Sequence, residues 1–268
     1  MLTFLCFTDK ITVTRIREGE NMHDMGEDIK VIRLDCTDST NNYAKQLAKN
    51  GEKGNVLVIA KRQTAGRGRL GRSFYSDTGG AYFSLLIHTG LKAEDGYILT
   101  ALAAVCAAQT VEQISEKKCL IKWVNDVYTD NKKLCGILTE GACDNSSGFE
   151  YAVVGVGINV YEGNGLPEDI KDTATSVFGK KETNAAVIEN LIGIFTKKYL
   201  AAVNGSHEPF INEYRRRSML NGKTVSYQKN GLTHTATVIC TDEKCRLVLN
   251  ENGKEIRVSA GEVSVKPE

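Results

Sequence analysis

Several absences narrow what this chain can be. It has no excess of either charge: Lys+Arg 34 stand against Asp+Glu 33, a net of +1. Such a balance gives no global attraction to nucleic acid or to a membrane, so any anion site has to be local. No C-x-x-C pair occurs among the eight cysteines, Cys6, Cys36, Cys106, Cys119, Cys135, Cys143, Cys240 and Cys245, which argues against a zinc site. Most of them sit in apolar runs, as small core residues do. No secretory signal is legible, which predicts a reducing cytoplasm and free thiols. There is no Gly-Lys-Ser/Thr phosphate-loop ending, and no G-x-G-x-x-G spacing opens a helix as a dinucleotide fingerprint requires. Internal repeats and low-complexity tracts are missing too. What remains is an ordinary globular composition, 41% apolar and 25% charged, in 268 residues. That is enough for one large or two modest domains with a real core.

Against this plain background one stretch stands out. Gln63-Thr64-Ala65-Gly66-Arg67-Gly68-Arg69-Leu70-Gly71-Arg72 holds three glycines and three arginines in ten residues. It follows an apolar run, Val56 to Ala60, that reads as a buried strand. Glycine lets a backbone pass close to a ligand, and arginine presents a rigid, permanently charged fork that matches phosphate oxygens. The stretch reads either as an anion cradle or as a solvated basic hairpin.

The other elements follow in order. Met1 to Glu27 shows no period and predicts an unstructured leader; Met22 or Met25 could also serve as a start. Ile29 to Leu34 reads as a strand, and Asp38-Ser39-Thr40-Asn41-Asn42 as the start of a helix that Asn50-Gly51 ends. Ala81 to Ile87 is a strand, and Asp95 to Ile114 a helix apolar on most sides; its alanines, Thr100, Gln109 and Thr110 favour a protein core over a bilayer. Leu120 to Tyr128 reads as a strand interrupted by polar residues, Asp130 to Lys133 as a turn, and Leu134 to Glu140 as the returning strand. Gly155 and Gly157 in the strand Tyr151 to Val160 suggest close approach of another backbone or a ligand. Tyr161 to Ser176 is a long loop of the kind that tends to be functional. Asn184 to Val203 and Glu208 to Arg217 read as helices. After Met219 come short β-runs parted by Lys229-Asn230-Gly231 and Glu251-Asn252-Gly253, the pattern of a small barrel. The expected division is a leader (1–27), a larger α+β unit (28–218) and a C-terminal β unit (219–268).

Polar groups that packing does not explain gather at the strand ends of what reads as one sheet, the usual make-up of a ligand site. They are the Ser39-Thr40-Asn41 cap, the arginine-glycine loop, Lys122-Trp123-x-Asn125-Asp126, Lys133 in its turn and Gly155-x-Gly157-x-Asn159. The stretches that carry a resemblance run in order as Asp38-Ser39-Thr40-Asn41, Gly66-Arg67-Gly68-Arg69-Leu70-Gly71-Arg72, Lys122-Trp123-Val124-Asn125-Asp126, Lys133-Leu134-Cys135-Gly136-Ile137-Leu138-Thr139-Glu140, Gly155-Val156-Gly157-Ile158-Asn159 and Gly261-Glu262-Val263. With these the chain resembles the biotin protein ligases (biotin–[acetyl-CoA-carboxylase] ligases). The family usually has proline where this chain has Val124, which bears on local geometry more than on chemistry.

The resemblance implies a mixed β-sheet packed by helices, of the class II aminoacyl-tRNA synthetase/biotin ligase type, with a small C-terminal SH3-like β-barrel. It implies the short, enzyme-only class without an N-terminal winged helix and without DNA binding. It also implies a cytoplasmic enzyme with no membrane association, and a possible homodimer. Biotin and ATP are the substrates and Mg²⁺ accompanies ATP; the partner is a biotin carboxyl carrier protein of acetyl-CoA carboxylase or a related carboxylase. Biotin-binding falls to Ser39, Thr40, Asn41, Gln63, Gly66, Arg67, Gly68, Arg69, Lys133 and Gly136. ATP and adenylate fall to Arg67, Arg69, Arg72, Lys122, Trp123, Asn125, Lys133 and Asn159. The catalytic residues are Lys133, Arg69, Lys122 and Asp126, with Asp126 either meeting Mg²⁺ or orienting the acceptor lysine. Lys122 could equally be an edge-strand lysine and Trp123 a core anchor. Two rivals remain: lipoate or octanoate ligation on the same fold, and a non-catalytic biotin-binding module.

Overall fold

The computed structural model describes residues 11–16, 29–143, 148–229, 232–259 and 265–267. Among them the chain runs β1 (Ile11–Ile16), β2 (Ile29–Thr37), α1 (Thr40–Lys49), β3 (Val56–Gln63), β4 (Ala81–Ile87), α2 (Gly96–Ile114), β5 (Leu120–Lys122), β6 (Asp126–Thr129), β7 (Lys132–Cys143), β8 (Phe149–Ile158), α3 (Ala185–Asn204) and α4 (Glu208–Arg216). It closes with β9 (Thr224–Lys229), β10 (Leu232–Thr241), β11 (Leu247–Glu251), β12 (Lys254–Val258) and β13 (Val265–Pro267).

Two sheets organise these elements. The larger is mixed, in the order β1-β2-β3-β4-β8-β7-β6-β5. Only the β2–β3 pairing is parallel, and α1 makes the crossover between those strands. The smaller is antiparallel, in the order β12-β11-β10-β9-β13. The apolar faces explain the layering. Every residue of β4 is buried, as expected of a central strand covered on both faces. Because strand side chains alternate, Phe83, Leu85 and Ile87 turn to the main core that α2 and α3 cover. Leu86 turns to a second cluster with Ile32, Leu34, Val58 and Ala44, beneath α1. Ser84 shares that second face, which brings its hydroxyl beneath the start of α1. The main core continues into Val225, Tyr227, Leu247 and Leu249 of the small sheet. Ala93–Ile114 is apolar enough to cross a membrane by length and composition, but 72% of that window is buried within the protein. The apolar surface of α2 therefore serves the core.

Three expectations need correction. Residues 11–16, placed in an unstructured leader, form β1 and pair with β2 from Ile11↔Leu34 to Ile16↔Ile29. Leu120 to Tyr128 is not one interrupted strand; β5 and β6 pair with each other, Lys122 opposite Asp126, and the chain turns at Trp123–Asn125. Lys133 lies on β7 opposite Tyr128, not in the turn. The turn itself is Asp130–Asn131, both at positive φ (51° and 59°), the conformation that two-residue hairpin turns favour. The rest of the leader and Gly261-Glu262-Val263 lie outside the described residues.

Candidate active site

Parallel pairing of β2 and β3 sends both strands out of the sheet at the same edge, with Thr37 beside Gln63. The start of α1 and the arginine loop therefore emerge together. Ser39 occupies the cap position of α1 with extended backbone, yet its side chain makes no cap bond. Gln63 of the neighbouring strand does that work: its Oε1 accepts from the Thr40 backbone N–H at 2.8 Å and from the Thr40 hydroxyl at 3.1 Å. The buried Ser39 hydroxyl is left uncommitted to the helix, available to a ligand. The network continues inward. Ser84 donates to Asn41 Oδ1 at 2.6 Å and lies 2.7 Å from the Thr40 hydroxyl. Outward, Gln63 Nε2 donates to Ser76 Oγ at 2.9 Å.

Asn41 was expected to meet biotin. Here both of its amide protons are engaged, by Leu138 O at 3.1 Å and Glu140 Oε2 at 2.9 Å. It shapes the wall and offers no free donor. It also accounts for Gly155, where a Cβ would stand 1.9 Å from Asn41 Oδ1.

Ser39, Thr40, Asn41, Gln63, Arg67, Gly68, Arg69, Arg72, Lys122, Trp123, Asn125, Asp126, Lys133 and Gly136 line one cavity together. A second cavity adjoins it, lined by Gly66, Asn159, Tyr128, Pro167, Ile170, Thr173 and Ala174. Gln63, Ser73, Phe74 and Lys133 belong to both. The long loop is bonded in place beside the second cavity: Lys133 N donates to Thr173 O, Thr175 N to Lys133 O, and Asn159 Nδ2 to Thr175 O at 3.0 Å.

Sequence reading missed Phe74. Its ring lies between the cavities, where a Cβ on Gly157 would come within 2.5 Å of it and one on Gly136 within 2.9 Å. Gly157, read as making room for another backbone or a ligand, makes room for this side chain. The available signal was an aromatic residue just beyond Arg72, facing two strand glycines that had no partner in the sequence.

Charge concentrates where the cavities meet. Lys133 Nζ lies 2.7 Å from Asp126 Oδ1, and that oxygen is buried without a well-aligned hydrogen bond. The contact is thus an ion pair without good hydrogen-bond geometry. Lys122 stands over the Tyr128 ring at 5.8 Å. Burial lowers the Lys122 pKa, with Asp126 pulling the other way. Arg69 reaches Asn125 Oδ1 at 3.4 Å; burial lowers its pKa too, and Asp126 again opposes. Arg67 goes elsewhere, to Glu140 Oε1 at 3.1 Å and Asn42 Oδ1 at 3.0 Å. The two arginines of the loop therefore face different groups.

The segment that carries Asp126 is anchored from behind. The Trp123 indole N–H donates to the Cys245 carbonyl at 2.9 Å, and the Tyr214 hydroxyl to the Val124 carbonyl at 2.9 Å. Trp123 is 7% exposed and Val124 1%, so Trp123 is a core anchor with one edge on the cavity. The Trp123–Val124 peptide, where the family usually has proline, is cis.

The chain matches the Biotin/lipoate A/B protein ligase family over residues 34–159. It is 36% identical to the bifunctional ligase/repressor BirA of Bacillus subtilis over 195 residues, covering 71% of this chain and 59% of that protein. It is 29% identical to the biotin–[acetyl-CoA-carboxylase] ligase of Mycobacterium tuberculosis over 241 residues, 85% of each chain. Its structure is similar to that of biotin protein ligase from Aquifex aeolicus in complex with biotin and ATP, with TM-score 0.72 and 27% identity over 89% of this chain and 99% of that one. With the mixed sheet and the two joined cavities, these likenesses support a biotin ligase. The chain spans 59% of the length of the Bacillus ligase/repressor.

Proposed function

We propose that this protein activates biotin with MgATP to biotinyl-5′-AMP and transfers the biotinyl group to a lysine of a biotin carboxyl carrier protein, of the kind acetyl-CoA carboxylase carries. The observation that supports this reading best is the position of Lys133. It lines both cavities, so a carboxylate lying in one and a phosphate reaching in from the other would meet at its ammonium. The first cavity has hydroxyl and amide groups at its deep end, suited to a ureido ring with one acceptor and two donors. Asn159 and the anchored loop suit the second to the nucleoside.

In the first half-reaction a biotin carboxylate oxygen attacks the α-phosphorus, the bond to the bridging oxygen breaks, and pyrophosphate leaves. Lys133 stabilises the charge that builds on the α-phosphate and holds the attacking carboxylate, as preorganised donors do. Lys122 supplies further positive charge, while Arg69, on the loop, holds the adenylate once it has formed. Asp126 is the one carboxylate among the residues lining the first cavity. It fits an Mg²⁺ ion carried by ATP, since that ion is usually held by one or two carboxylates together with substrate phosphates. In the second half-reaction the carrier's lysine amine attacks the acyl carbon, AMP leaves with the phosphate oxygen, and the nitrogen loses a proton. The loop would keep water from the mixed anhydride until then. The small antiparallel sheet would be the SH3-like barrel of the family, steadying this site from below.

Pyrophosphate release separates the readings. With biotin and ATP the purified protein should release pyrophosphate, and with lipoate in place of biotin it should not. A lipoate-dependent signal equal to or above that with biotin would assign lipoate ligation. No release with either acid would leave a binding module.

A further inference from the structure

Glu140, near the middle of β7, lies away from the Lys133–Asp126 pair and none of the chemistry above uses it. It nevertheless gathers three polar partners, Lys45, Asn41 and Arg67. Oε1 accepts from Lys45 Nζ at 2.8 Å and lies 3.1 Å from Arg67 Nη1. Oε2 accepts from Asn41 Nδ2 at 2.9 Å and lies 3.2 Å from the same Arg67 nitrogen. Its side chain is 21% exposed, whereas that of Arg67 is 41% exposed. Burial raises the Glu140 carboxyl, but bonds from Lys45 and Asn41 and the charges of Lys45 and Arg67 more than offset this and hold it below the ordinary range. One ionised carboxylate thus joins three separate pieces: strand β7, helix α1 through Lys45 and Asn41, and the arginine loop through Arg67.

Backbone bonds tie the loop at its base and its tip. Its base is stitched to the end of β2 and the residue after it by Thr64 N to Thr37 O and Ala65 N to Asp38 O, both 2.9 Å. Its tip closes on itself through Gly68 N to Arg72 O at 2.7 Å. Between base and tip, Arg67 connects the loop to the body on the α1 side and Arg69 on the Asn125 side. A guanidinium already paired with a carboxylate is a poor phosphate ligand, since binding an anion there would first break a charge-assisted bond.

We propose that Glu140 is a positioning residue for the arginine loop: it holds Arg67 as a tether, and through that tether sets how long the loop stays over the bound acyl-adenylate. Arg67 is then a latch, and Arg69 is the arginine that faces the reacting groups. The retention half of this proposal rests on the reading of the protein as a biotin ligase; the tether half does not.

Limited trypsin digestion without ligand tests the tether, because cleavage after Arg69 and Arg72 reports on loop opening. Glu140→Gln keeps the shape and removes the charge. It should speed cleavage at those two sites by roughly three- to tenfold, the scale of one partly exposed charge-assisted bond. Arg67→Gln, at an exposed side chain with little bearing on folding, should do the same. The double variant should be no faster than either single one, because both remove one interaction. Unchanged cleavage in Arg67→Gln, or additive effects in the double variant, would overturn the tether, even if Glu140→Gln failed to fold. Release of preformed biotinyl-adenylate should quicken by a similar factor in Glu140→Gln, with kcat for pyrophosphate formation nearly unchanged. Faster cleavage with unaltered adenylate release would overturn the retention half. Absence of biotin-dependent pyrophosphate in the unaltered protein would sink the ligase reading and leave the digestion result standing.

Discussion

Arg69 and Asp126 reach one cavity from two segments that are built in opposite ways. The arginine loop is open to solvent: Leu70 at its tip is 67% exposed and sits at φ 56°. Beyond the backbone bonds at its base, side-chain ions and amides hold it to the body. The turn between β5 and β6 is buried and pinned through backbone carbonyls, by Trp123 to Cys245 and Tyr214 to Val124. Arg217 reinforces the same hairpin, reaching the Cys119 carbonyl at 2.9 Å and Glu112 at 2.8 Å. Exposed ion pairs contribute little individually and yield easily, whereas a buried carbonyl that loses its donor bears the full desolvation penalty. The difference suits two tasks. A group that stabilises charge at phosphorus has to be fixed in advance, while a cover over a reactive intermediate has to open for the acceptor.

The comparison can be broken at several points, of decreasing expected effect. Lys133→Ala removes the group shared by both cavities. Adenylate formation should fall on the order of 10²- to 10³-fold with the fold intact; pyrophosphate release at the wild-type rate would refute the role given to Lys133. Arg69→Gly should speed release of biotinyl-adenylate by roughly tenfold or more, the effect of losing one charged hydrogen bond. The escaping anhydride would then label bystander lysines, and a chase experiment showing an unaltered off-rate would contradict this. Tyr214→Phe leaves the Val124 carbonyl without its donor and should cost about 1–3 kcal/mol of stability by denaturant titration. It should slow adenylate formation while leaving the off-rate alone. Gly155→Ala forces a methyl against Asn41 and should cost about 1–3 kcal/mol, visible chiefly as a higher KM for biotin.

The smallest effect concerns acid. Bonds from Arg216 and Arg217 outweigh burial and bring the Glu213 carboxyl down to about 2 from an ordinary 4.5. The Arg217 bond likewise lowers Glu112. A carboxyl depressed by folding stabilises the fold above its ordinary pKa, and that contribution is lost as pH falls toward the folded value. The hairpin junction should therefore weaken between about pH 4.5 and 2. Replacing Glu213 by Gln should flatten that part of a stability–pH curve.

How much of this was legible in the sequence follows from the range of the forces involved. The largely apolar runs of β4 and α2, and a turn starting at Asp130, are local patterns and read directly. The site residues could be gathered because each follows or interrupts a strand. What failed were long-range facts. Lys133 moved from turn to strand because the turn is only Asp130–Asn131 and pairing with β6 already begins at Thr129↔Lys132. Asn41 lines the cavity as a candidate contact, but that its amide is engaged by Glu140 and Leu138, nearly a hundred residues away, is not visible in the sequence. Nothing adjacent to Phe74 in sequence shows that it fills the space left by Gly136 and Gly157. The strand at Ile11–Ile16 depends on an edge that β2 alone provides.

The central claim is that retention and chemistry belong to different segments, and one measurement reaches it directly. Single-turnover formation and release of biotinyl-adenylate should be followed side by side in Arg69→Gly and Tyr214→Phe. The account predicts that Arg69→Gly changes release far more than formation and that Tyr214→Phe changes formation far more than release. Two variants that slowed formation and quickened release in the same proportion would contradict it.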